Sequence, residues 1–134
     1  MEITKEILDY LSYQAKANPR LRQIYDLRNS ENDESQRTLN ALEPGTIIPI
    51  HRHTHSSETV VIIRGAIRET FYDEDGHVID SISLKYGSEV PILVVPKGIW
   101  HSLDCLVPNT IIFESKDGAY EPTKKEDILN IVNA

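Results

Sequence analysis

Between residues 36 and 115 the chain breaks into short apolar or alternating runs, each closed by glycine, proline or an acidic turn. The runs fall at about 36–42, 46–54, 58–64, 66–73, 77–84, 90–95, 100–106 and 110–115, after an earlier one from Arg22 to Leu27. Such lengths suit strands, and no helical pattern alternates with them, which argues against βαβ units. Strands this closely spaced pair antiparallel, so a sandwich or barrel is expected. Asp73-Glu-Asp-Gly76 marks a hairpin turn, and Asn29 to Ser35 reads as a polar loop. Helix is expected only at the ends. Ile3, Ile7, Leu8 and Leu11 recur at helical spacing behind a Thr4 N-cap, predicting a helix over about 4–17 that Asn18-Pro19 ends. Ile128, Leu129 and Val132 suggest a short second helix within Thr123 to Val132. A single domain is expected over 1–134: a helical segment at 1–19, a β-barrel at 20–116 and a tail at 117–134.

Chemistry concentrates in Gly45-Thr-Ile-Ile-Pro-Ile-His51-Arg-His53-Thr-His-Ser-Ser-Glu58. Side chains two apart on a strand share a face, so His51 and His53 can enter one cavity, and Glu58 can join them from the next strand. Two imidazoles and a carboxylate make a facial metal site with open positions. Pro96-Lys-Gly98-Ile-Trp-His101 supplies a fourth candidate ligand behind a turn. Three imidazoles and a carboxylate enclosed without a cation would leave buried polar groups short of partners. Iron, zinc, manganese, nickel and cobalt as divalent ions all suit such a donor set.

These intervals resemble the cupin superfamily. Its first motif is matched by Gly45, His51, His53, Glu58 and Gly65, and its second by Pro96, Gly98 and His101. Val90 stands where the second motif has its leading glycine, and Cys105 where it has asparagine, both turn or packing positions. The resemblance implies a mainly β, single-domain cupin, an antiparallel β-barrel or jelly roll. It implies one divalent transition metal held by His51, His53, Glu58 and His101. Asn18-Pro-Arg20-Leu-Arg22, Gln36-Arg37, Ala41-Leu-Glu-Pro-Gly45 and Glu114-Ser-Lys-Asp-Gly118-Ala-Tyr120 are similar to the WbuC-type cupin-fold metalloproteins. Some of these belong to surface-polysaccharide gene sets, so a role in polysaccharide biosynthesis and a homodimer are expectations from that likeness.

Twenty-one acids against fourteen bases give a formal charge of −7, which disfavours nucleic acid and offers no basic face to a membrane. A single cysteine and a start without signal-peptide regions lead to the expectation of a cytoplasmic protein. All seven arginines lie between Arg20 and Arg68, and all lysines lie outside that interval. The guanidinium fork suits an anionic small molecule, with Arg20, Arg37 and Arg52 as candidates, although alternation should turn Arg52 from the cavity. His55, Glu114 and Tyr120 are candidate catalytic groups, each with an ordinary alternative as rim, strand-end or tail residue. Cys105 reads as a small buried hydrophobe, and His77 as an exposed turn residue. Three functions compete. They are a metal-dependent enzyme on a small anionic or sugar-like molecule, a non-catalytic metal-dependent binding or sensing module, and a metal-independent nucleotide-sugar isomerase or epimerase.

Overall fold

The computed structural model describes residues 1–130. One helix, α1 (Lys5–Ala17), precedes eight strands: β1 (Arg22–Asp26), β2 (Ser35–Leu42), β3 (Glu58–Arg64), β4 (Ala66–Tyr72), β5 (Val78–Lys85), β6 (Ile92–Val95), β7 (Trp100–Cys105) and β8 (Thr110–Asp117). Five pair in the order β1-β2-β8-β3-β6, and three in the order β5-β4-β7, with every pairing antiparallel. The two sheets face each other as an open sandwich rather than one closed ladder. None of the described helices is long and apolar enough to cross a membrane.

Alternation explains the two cores. Directly opposed residues share a face, so Glu58, Val60 and Ile62 of β3 lie beside Lys116, Glu114 and Ile112 of β8. Ile67 and Phe71 of β4 meet this face from the other sheet, with Leu84 and Leu103 between. On the outer face Leu39, Ala41 and Ile111 pack under Leu11 and Ala15 of α1. Thr4 Oγ1 accepts from the Ile7 backbone N–H (3.3 Å) and caps the helix as expected. Arg64 ties the helix down through Asp9 (2.6 Å) and Ser12 Oγ (2.8 Å). Arg28 pairs with Asp26 (2.8 Å), so several arginines of the clustered set serve the scaffold.

Gly65 makes the turn between β3 and β4 at φ 83°, where a Cβ would come within 2.7 Å of the Thr110 backbone Cα. Both the left-handed backbone and the close strand crossing demand glycine there. At Asp73–Gly76 the hairpin forms as expected, with Asp73 N–H donating to His77 O (2.9 Å).

Two expectations are corrected. Residues 46–54 are extended but form no ladder; His51 alone bridges, to His101 on one side and Ile128 on the other. Pro49 has no N–H to give, and its carbonyl is taken by the His51 side chain. The second helix is reduced to one 3-10 turn, Lys125–Asp127. Ile128 and Leu129 instead run along the His51 segment, Leu129 N–H donating to Ile50 O (2.8 Å). Val132 lies outside the described residues.

Candidate metal centre

The two histidine segments are joined by their backbones. His51 N–H donates to His101 O (3.0 Å) and His101 N–H to His51 O (2.8 Å), while Gly98 N–H donates to His53 O (2.8 Å). A bridged pair points both side chains to one face, which sets the His51 and His101 rings 4.3 Å apart. His53, two residues on, lies 5.0 Å from His51 and 5.3 Å from His101 by ring centroid. One ligand nitrogen from each of the three falls within 4.8 Å of the others.

Orientation is fixed from behind. The Nδ1 of His51 faces Pro49 O at 2.8 Å and that of His101 faces Ile99 O at 3.1 Å. A protonated Nδ1 donating to a carbonyl leaves each Nε2 as a free lone pair, the arrangement metal-binding imidazoles adopt. Glu58, the first residue of β3 and 6% exposed, brings Oε2 to 3.1 Å from His53 Nε2 and 3.7 Å from His101 Nε2. His53 Nε2 is buried without a hydrogen-bond partner, a nitrogen whose need a cation would meet. The residues present therefore fit a divalent ion.

Charge in the site is unevenly divided. Burial pushes His51 down to about 4, aided by the neighbouring His101, so it is neutral and ready to ligate. Burial also pulls on His101, but the nearby Glu58 carboxylate outweighs it and raises the imidazole. Glu58 sits well below its ordinary range: burial opposes this, yet the neighbouring Glu114, His101 and His53 side chains prevail. Glu114 is driven well above its range, first by burial and then by the Glu58 charge, and Asn40 Nδ2 donates to its Oε1 (3.3 Å). The two carboxyl groups are thus pushed apart, Glu114 upward and Glu58 downward.

Sequence reasoning missed Glu69. It lies on the inward row of β4 between Ile67 and Phe71 and is 1% exposed. Its Oε2 has no partner, and burial raises it to about 8. An acid alternating in register with Ile67 and Phe71 was the available signal. Asn40, also buried on an inward row, was missed as well.

Beside His53 opens a cleft of about 280 Å³, walled by Arg52, His55, Gln36 and Lys116 and roofed by Gly118 to Lys124 and Asp127. His55 is exposed on its rim. Tyr120 is in the roof, 58% exposed, with the Arg28 guanidinium 5.7 Å from its ring centroid. Arg52 is turned from the imidazoles, as alternation requires, yet faces the cleft wall. Its guanidinium stacks over Trp100 at 4.4 Å, and its Nε donates to Asp127 Oδ1 (2.9 Å).

Arg37 and Arg20 are not brought to the centre. Arg37 shares the outer, helix-covered face with Leu39 and Ala41, and binds Asp33 at 3.2 Å. Arg20 lies beside Thr46, whose Oγ1 donates to its carbonyl (2.7 Å), five residues before His51. Asp73, Asp75 and His77 also cluster, but they are exposed, and Asp73 Oδ1 already accepts the Asp75 and His77 backbone N–H groups (2.9 Å each).

Two facing antiparallel sheets with imidazoles gathered at one mouth define a cupin fold, and solved structures agree. KdgF from Halomonas sp. superposes with a TM-score of 0.61 at 14% identity, over 77% of this chain and 84% of that one. An oxalate oxidase in complex with glycolate gives 0.59 at 17%, over 78% and 54%. Oxalate decarboxylase from Bacillus subtilis gives 0.57 at 20%, over 80% and 26%. The chain thus spans about half the oxidase and a quarter of the decarboxylase, and likeness at these identities concerns the fold. No curated protein matches the chain. The chain belongs to the family described as a domain of unknown function, DUF6016, whose sequence profile matches residues 3–84.

Proposed function

We propose that this protein is a metal-dependent cupin enzyme acting on a small anionic or sugar-like molecule bound in the cleft beside His53. The observation that carries the reading is the convergence of three imidazole nitrogens, with the Glu58 carboxylate 3.1 Å from His53, beside a cleft that His53 lines. His51, His53, Glu58 and His101 would hold one divalent ion, and iron, zinc, manganese, nickel and cobalt all accept those donors. Such an ion supplies Lewis acidity or, as iron, redox chemistry.

This chain's own residues supply the rest. Glu114, raised above its ordinary range by burial and by the Glu58 charge, is the acid–base candidate. Asn40 orients it, Arg52 forms part of the wall, and Tyr120 and His55 flank the entrance. NMR of mixtures of small carboxylic and sugar acids with loaded and stripped protein tests the reading. Consumption confined to loaded protein supports it, and equal consumption by stripped protein removes the metal from the mechanism.

The likeness to the WbuC-type motifs supports a role in surface-polysaccharide biosynthesis, and the single cysteine supports a cytoplasmic setting. A homodimer belongs to the same reading. β1 is the outer strand of its sheet, and a groove of about 480 Å³ runs along it and α1, with Tyr10 and Ile24 exposed. Light scattering should give twice the 15.2 kDa chain mass; a monomer at micromolar concentration would remove the dimer.

A further inference from the structure

We infer that Lys116, rather than an arginine, anchors the anionic group of the ligand. The inference rests on the metal-dependent reading above. Lys116 comes from the inward row of β8, directly opposite Glu58 on β3 and Gln36 on β2. One strand spacing, about 4.8 Å, separates it from the row that carries a candidate ligand. It is half-buried and lines the same cleft as His53.

Its charge acts on Glu58 and Glu114 but forms no close ion pair. Among the described residues no carboxylate lies within 4.0 Å of its ammonium, whereas Arg52 and Arg37 each bind an aspartate. Glu58 is committed to His53 and His101. Lys124, the other lysine of the cleft, is exposed on the roof. Gln36 Nε2 donates to Gly118 O (2.9 Å), which fixes the corner where β8 leaves the sheet and the roof begins. A half-buried ammonium gains most from an anion that enters the cleft, because the pair forms away from bulk water.

The test uses glycolate and its neutral isostere glycolamide as probes on reconstituted full-length protein, read by calorimetric titration and thermal shift. Wild type should bind glycolate and not glycolamide. Lys116→Met should weaken glycolate by about tenfold or more at unchanged metal content, and Lys116→Arg should retain most of the affinity. Equal glycolate affinity in wild type and Lys116→Met overturns the inference, as does equal binding of the two probes by wild type or no binding of either. Elemental analysis of the same samples separates the two ideas. Protein without metal that still binds glycolate through Lys116 would discard the metal reading and keep the anchor.

Discussion

Glu69→Gln is expected to remove most of the alkaline destabilisation of the metal-stripped protein. Glu69 is enclosed between the sheets with one carboxylate oxygen unpartnered, and its folded value is about 8 against an ordinary 4.5. Between those values the unfolded chain has released a proton that the folded chain still holds. Stability therefore falls as pH rises, by about 1.4 kcal/mol per unit and roughly 4 kcal/mol from pH 5 to pH 8. The amide cannot ionise, although its buried N–H groups carry their own constant cost. Urea denaturation of both proteins from pH 5 to 8.5 should show curves that diverge in favour of the variant as pH rises. Parallel curves would mean that Glu69 is paired or hydrated in solution.

His101→Ala should leave the fold and abolish metal binding. The bridge between the two histidine segments is made by backbone groups of residue 101, so it survives removal of the ring. Lost are a nitrogen 3.7 Å from Glu58 and the ring that faces His51. Altering a group behind a ligand already costs about 10–100-fold in metal affinity, so deleting a ligand should cost more than about a hundredfold. Cobalt(II) titration followed by visible absorption reads this directly, with His55→Ala as the control that keeps wild-type binding. Undiminished cobalt binding by His101→Ala would show that the ion is held elsewhere.

The strands were legible because apolar alternation and glycine or proline breaks locate them within a residue or two. β3 begins at Glu58 as read, and α1 begins behind its Thr4 cap. The His-x-His spacing also carries, since an extended backbone alternates its side chains whether or not a ladder forms. Hydrogen bonding in residues 46–54 was not legible, because the His51 bridges run to His101 and Ile128, far along the chain. The tail failed for the same reason: Ile128 and Leu129 find their partner in the His51 segment, and tertiary pairing overrides a weak helical pattern. Of the clustered arginine candidates, Arg52 alone lines the cleft. Arg37 lies on the helix-covered face and Arg20 beside Thr46, while Lys116 and Glu69 reach the interior through strand register alone.

The most direct test of the account is elemental analysis of untagged, gently purified wild-type protein, repeated after reconstitution with iron, zinc, manganese, nickel and cobalt. The account predicts about one transition-metal ion per chain. Protein that holds no metal under any of these conditions would contradict it and leave His51, His53, Glu58 and His101 as a polar cavity.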